Sequence, residues 1–354
     1  MRPSAGTGKR NFRIPVLEIL RRTVPGDSDL FELAGRRANR WITRTDMRRG
    51  PVRENAAPLL RRAAEAPILQ AMEIIGTGKT ATVYRFDEGK ALKLFNAEYG
   101  RPAVEYEMRL AQVAAAYCSS APKCYGLVKD GDREGLLYEY LPGETLIARL
   151  LRNPWSTDRI ARILAEEQNR IHQCVAGTLP NEKIRFAKQI DRSAAYLGPI
   201  RDEILERLDG LSTESRLCHG DFHPGNIIVG KDGPRVIDWM NGYAGTPLGD
   251  VARTYLMIVT PYLPDGLPGY LSPLVWSLKT RLAGRYLAEY RRQSHIDTGG
   301  VYAWFAVAAA VRLCDEIDEE RKWLLDIIDK SLSGVRFLPS GRSARRAYVS
   351  AAKS

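Results

Sequence analysis

The sequence predicts an α+β protein of two lobes, a small β-rich lobe first and a larger, mostly helical lobe after it. Three observations carry that expectation. Two short strand patterns around a glycine turn, Ile74 to Tyr84, lead into a third strand, Ala91 to Phe95, that holds a single lysine. A second hairpin pattern lies between Asn226 and Asp238. Beyond it the chain turns to apolar helical stretches such as Val301 to Val311, too short to cross a bilayer and expected as a core helix of the larger lobe.

In chain order, Ile74-Ile75 runs into Gly76-Thr77-Gly78-Lys79-Thr80-Ala81-Thr82-Val83-Tyr84, which fits G-x-G-x-x-G-x-V with Ala81 in place of the third glycine. Glycines let backbone amides approach phosphate oxygens, so the turn from Gly76 and Gly78 to Val83 is expected to cover nucleotide phosphates, with Ala81 holding it slightly higher or stiffer. Two decoys fail. A Walker A loop ending at Gly78-Lys79-Thr80 needs a glycine where Glu73 stands, and a dinucleotide fold needs a helix where Thr82 to Phe86 reads as a strand.

Lys93 sits in an otherwise apolar strand, and lysines are rarely buried without a partner, so it reads as a phosphate ligand. The following helical run, Ala103 to Tyr117, offers Glu105 and Glu107, which lie two apart and cannot share a face. Glu107 is the expected partner, since Leu110, Val113 and Ala114 continue its side, and Glu105 is the fallback. Leu136 to Gly143 reads as a buried strand stopped by Pro142-Gly143. If it joins the lobes, the backbone of Glu139, Tyr140 and Leu141 meets an adenine edge.

The chemistry concentrates in His219-Gly220-Asp221-Phe222-His223-Pro224-Gly225-Asn226, with Asp238 twelve residues further on. Two short strands around Gly230 to Pro234 bring Asn226 and Asp238 side by side. An amide oxygen and a carboxylate suit Mg2+, which takes hard oxygen ligands and completes its shell with water and phosphate. Asp221 is left to face an acceptor hydroxyl. His219 and His223 lack a third ligand at zinc-like spacing, and Cys218 is expected to point the other way along its strand, so both histidines read as loop-ordering.

This ordered set resembles the aminoglycoside phosphotransferase family, whose members share the two-lobed protein-kinase fold; the likeness covers roughly residues 71 to 330. Ile237-Asp238-Trp239, Gly249 to Arg253 and Trp304 to Leu325 add to it. The resemblance implies ATP and Mg2+ as cofactors, Asp221 as the catalytic carboxylate, Asn226 and Asp238 on magnesium, and Lys93 on the phosphates. It implies a nucleotide-binding lobe over 71–141 and a catalytic and substrate-binding lobe over 142–334; basic segments flank them at 1–70 and 335–354. Gly220 replaces the arginine of the protein-kinase H-R-D, and only Trp239 to Gly249 separates Asp238 from Asp250, so there is no room for a long activation loop. Asp250 reads as a structural acid at a helix start. The expected reaction is phosphoryl transfer to a hydroxyl of a small molecule of aminoglycoside, sugar or amino alcohol type. An atypical protein kinase and a nucleotide-binding pseudoenzyme are the alternatives.

Composition fits such an enzyme. The 354 residues are 44% hydrophobic, enough for a sizeable core without disulfides. Five cysteines with no close pair and no signal peptide read as reduced thiols in a cytoplasm. The net charge of +11 is terminal: residues 1–70 carry +8 and residues 335–354 carry +5, leaving −2 for the body. No specific nucleic-acid groove is expected, although the basic ends suit weak contact with an anionic partner. Helices are expected over 13–22, 30–43 and 59–72, with Met47 an alternative start and scattered acids arguing against a transit peptide. The acidic run Asp315 to Glu320 reads as a solvated helix face, and 11 acids against 10 bases from Trp239 to Gly334 give no markedly acidic pocket for a polycation.

Overall fold

The computed structural model describes residues 72–78, 80–263 and 269–339. The helices expected before Met72 and nearly all of the basic tail lie outside the described residues. Strands β1 (Ile74–Thr77), β2 (Ala81–Arg85), β3 (Lys90–Phe95), β4 (Cys124–Asp130) and β5 (Arg133–Glu139) form an antiparallel sheet in the order β1-β2-β3-β5-β4. Helix α1 (Arg101–Tyr117) starts with Pro102 in its first turn, where a missing N–H costs nothing. Its Val104 packs with Phe95 and Leu136 of the sheet, and that apolar contact fixes which face of α1 looks at Lys93.

The rest is mostly helical. After β6 (Glu144–Thr145) come α2 (Leu146–Arg152), α3 (Thr157–His172), α4 (Glu182–Arg192), α5 (Ala194–Leu197) and α6 (Ile200–Gly210). Four short strands follow, β7 (Arg216–Cys218), β8 (Ile227–Gly230), β9 (Gly233–Val236) and β10 (Tyr243–Gly245), with β7 paired to β10 and β8 set between β6 and β9. Helices α7 (Pro247–Val259), α8 (Ser272–Ser294), α9 (Val301–Leu313) and α10 (Asp318–Leu332) complete the lobe. Helix α9 is apolar all round, as a helix enclosed on every side must be. Its residues Trp304 to Val311 are all buried, and it packs against α4, α7 and α10. Among the described residues no helix is long and apolar enough to cross a membrane.

Two local expectations need correction. The β8–β9 turn is tighter than Gly230 to Pro234: Gly230 pairs with Gly233, and Pro234 lies inside β9 opposite Val229. Strand β9 is an edge, so the missing proline N–H breaks no ladder bond on its free side. The acidic run at 315–320 is a solvated face only in part: Glu316, Asp318 and Glu319 are exposed, but Glu320 is buried and Asp315 half-buried. Arg312, near the end of α9, is only 14% exposed, and that charge draws Glu320 to 2.8 Å and Asp315 to 3.2 Å. Asp318 pairs with Arg321.

Candidate active site

Lys93 is placed by the register of its strand, opposite Val83 on one side and Leu136 on the other. Its side chain lies against α1, where Nζ is 2.7 Å from Glu107 Oε1, and it reaches the other lobe at 3.4 Å from Asp238 Oδ1. Glu107 is buried and also accepts a hydrogen bond from the Tyr138 hydroxyl at 3.2 Å. Glu105, on the other side of α1, pairs with Arg101 at 2.9 Å. Burial works against the Lys93 charge, but the carboxylates of Asp238 and Glu107 outweigh it and raise its pKa, so the ammonium is permanent. Lys93 in turn holds the Asp238 carboxyl below its ordinary range, against the effect of burial.

The loop after β7 is held from beneath by Asp250, in the first turn of α7. One carboxylate oxygen accepts from the Gly220 N–H at 2.8 Å; the other accepts from the His219 N–H at 3.2 Å, Gln168 at 2.9 Å and His172 at 3.1 Å. Burial opposes that charge, but the bonds from His172 and Gln168 keep the Asp250 carboxyl well below the usual carboxylate range. His172, Cys218 and Asp250 lie close enough to suggest a metal trio. The hydrogen bonds already satisfy Asp250 and both His172 nitrogens, Nδ1 meeting Tyr290 at 2.7 Å, and burial pushes the Cys218 thiol up, so the trio is a brace.

His219 orders the same loop. Its Nδ1 accepts from the Asp221 N–H at 3.2 Å, and its Nε2 bonds the Ile237 carbonyl at 3.0 Å, tying the loop to the residue before Asp238. Asn226 donates its Nδ2 to the Asp221 carbonyl at 2.9 Å and to Asp221 Oδ2 at 3.3 Å, which leaves its amide oxygen without a hydrogen bond among the described residues. His223 Nδ1 accepts from the Gly225 N–H at 3.0 Å, and its Nε2 stands 3.8 Å from Asp221 Oδ2. Asp238 has left-handed backbone, φ 65°, which turns its side chain out of the β9 path; 43% of that side chain stays exposed.

Gly76 pairs with Val83, and the Gly78 N–H donates to the Ala81 carbonyl at 2.9 Å. A Cβ at Gly76 would come no closer than 3.8 Å to another residue, and one at Gly78 no closer than 3.5 Å. The protein itself does not demand glycine there. In the segment Glu139 to Leu141, Glu139 N–H donates to Lys123 O and Tyr140 N–H to Gly89 O, each at 2.9 Å. The Glu139 carboxylate joins Arg235 of β9 at 2.8 Å, a strut between lobes. Of the three amides in that segment, Leu141's alone is without a bond among the described residues.

Sequence reasoning missed Arg253, whose Nε donates to the Gly220 carbonyl at 2.8 Å, and Arg185, whose Nη2 donates to Asn241 Oδ1 at 2.7 Å. A signal existed for the first. It is the only charged residue after Asp250 in the otherwise apolar α7, one turn along from that acid.

A sheet lobe whose lysine reaches across to a carboxylate beside an Asp-Asn loop defines a phosphotransferase of the two-lobed protein-kinase-like fold. The chain belongs to the phosphotransferase enzyme family, which it matches over residues 71–272. No curated protein matches it in sequence. The fold is similar to that of the aminoglycoside phosphotransferase APH(4)-Ia, with TM-score 0.54 and 14% identity, covering 79% of this chain and 97% of that one. A thermostable mutant of that enzyme, in a ternary complex with AMP-PNP and hygromycin B, gives TM-score 0.50 at 14% identity over 80% and 95% of the two chains.

Proposed function

We propose that the protein transfers the γ-phosphoryl group of ATP, with Mg2+, to a hydroxyl of a small molecule. The observation that carries this is the reach of Lys93 to both Glu107 and Asp238, at 2.7 and 3.4 Å, which sets one fixed cation between the lobes beside the Asp221 loop. The residues suit the group they would hold. The exposed Asp238 carboxylate and the unbonded Asn226 amide oxygen are hard donors of the kind magnesium takes, and the open space at Gly76 and Gly78 lets phosphate oxygens approach the backbone. Bound magnesium would supply charge neutralisation of the phosphates.

The chain's own groups do the rest. Asp221 orients the acceptor hydroxyl and takes its proton, held in place by Asn226 and by His219 beneath it. Lys93 binds phosphate oxygens, the turn from Gly76 to Val83 covers them, and Leu141 N–H offers the free backbone donor for a base edge. The twelve-residue step from Asp238 to Asp250 is filled by a short turn, β10 and the start of α7, with no space for a peptide-binding activation segment, which favours a small acceptor over a protein. Steady-state turnover and magnesium titration test the assignment. Asp221→Asn should abolish turnover with ATP binding retained, and Asp238→Asn should weaken metal-dependent nucleotide binding; an undiminished Asp221→Asn rate would overturn it.

A further inference from the structure

We propose that the acceptor carries a compact anionic group, a carboxylate or a phosphate, held by Arg185 and Arg253 beside Asp221. This rests on the phosphoryl-transfer reading and narrows its substrate class. Arg253 is only 5% exposed, spends Nε on the Gly220 carbonyl, and keeps Nη1 buried with no hydrogen-bond partner. Arg185, half-buried on α4, gives one nitrogen to Asn241. Neither guanidinium has a carboxylate within ion-pair distance among the described residues. They sit close enough to act on each other: burial works against the Arg185 cation and the charge of Arg253 adds to that.

Buried charges are ordinarily paired, because a lone one forfeits its hydration without recompense. Here the pairing is missing among the described residues, next to the loop that carries Asp221. Asn241 lies against Gly220, the residue before Asp221, so both arginines converge on the catalytic loop. The nearby acids are already engaged: Asp315 and Glu320 with Arg312, and Asp221 with Asn226. Guanidinium forks are a donor set for an oxyanion. A polycation would find no free carboxylate here other than the one needed for chemistry.

The test uses the full chain with saturating AMP-PNP and magnesium, which keeps added anions away from Lys93. Calorimetric titration with gluconate, glucose 6-phosphate, glucose and glucosamine is paired with ATP turnover on the same four and on glycerate, glycerol and serinol. Anionic acceptors should bind and turn over at least about tenfold better than their neutral and cationic counterparts. Gluconate against glucose 6-phosphate separates a carboxylate from a phosphate. Arg185→Gln, at a half-buried helix position, should raise KM for the anionic acceptors about tenfold and erase the preference, with Arg185→Lys recovering part of it. Equal or better use of neutral or cationic acceptors, no anion preference in either assay, or a preference unchanged in Arg185→Gln would overturn the proposal. Anion binding that depends on Arg185 without any acceptor-dependent ADP release would instead sink the phosphoryl-transfer reading and leave the anion site standing.

Discussion

Gly220 and Asn241 are packed so tightly that a Cβ on Gly220 would overlap the Asn241 carbonyl oxygen, and Gly220 also holds φ at +76°. The loop that carries Asp221 and the turn that follows Asp238 are pressed together at that point. The contact explains why glycine stands where protein kinases place arginine: the arginine would have to occupy the volume of the Asn241 backbone.

Gly220→Ala should therefore cost both the strain of positive φ and the displacement of Asn241, roughly 2 kcal/mol or more. Thermal denaturation reads the loss, and turnover should fall further than stability because Asp221 moves with the loop. Gly177→Ala is the control, since a Cβ there meets nothing within 4 Å.

Lys93→Met should leave Glu107 buried without its cation, at a cost of about 3 kcal/mol, and reduce ATP turnover by at least about a hundredfold. Adding Glu107→Leu should restore much of the stability by removing the uncompensated acid, while activity stays lost. A double mutant as unstable as the single one would show that the Lys93–Glu107 pair is not what the core requires.

Asp250→Ala removes the acceptor shared by the Gly220 and His219 amides, so kcat should drop about a hundredfold while the KM for ATP changes less than about threefold. The folded carboxyl is depressed, so its contribution is present above the ordinary carboxylate range and is lost as pH falls. Acid unfolding of Asp250→Ala should accordingly show a weaker pH dependence than that of the parent.

Glu182 works in the opposite sense. Its carboxyl is enclosed beneath Gly245 and Gly249, where any added Cβ would strike it, and burial pushes its pKa up to about 8. The folded protein binds a proton that the unfolded chain releases near 4.5, so stability falls as pH rises from there towards 8. Glu182→Gln keeps the Thr246 N–H acceptor and should flatten that slope, by on the order of a few kcal/mol across the window. Denaturant midpoints measured at pH 5, 6.5 and 8 check it, and parallel curves for both proteins would rule out Glu182 as the source.

Much of the framework was legible because it is local. The β8–β9 hairpin follows from turn residues between β-branched runs, and the lone lysine of β3 stands out because its neighbours are apolar. The brace under the Asp221 loop was only half legible: Asp250 at a helix start suggested support, yet nothing near it announced Gln168 and His172, which arrive from α3. The acidic run was read only in part, because local sequence gives the charges of Asp315 to Glu320 but not the half-buried Arg312 that α9 turns towards Asp315 and Glu320.

The sequence by itself determined the class of protein, since the order and spacing of Gly76, Lys93, Asp221, Asn226 and Asp238 are properties of the chain alone. The tertiary structure alone decided which side chains meet. Val104 docking on Phe95 and Leu136 turns α1 so that Glu107, not Glu105, faces Lys93. The packing of α4 and α7 sets Arg185 against Asn241 and Arg253 against Gly220, with no ion-pair partner for either among the described residues. The reason is physical: spacing along a chain fixes periodicity, whereas the partner of a charge is fixed by which apolar faces bury each other.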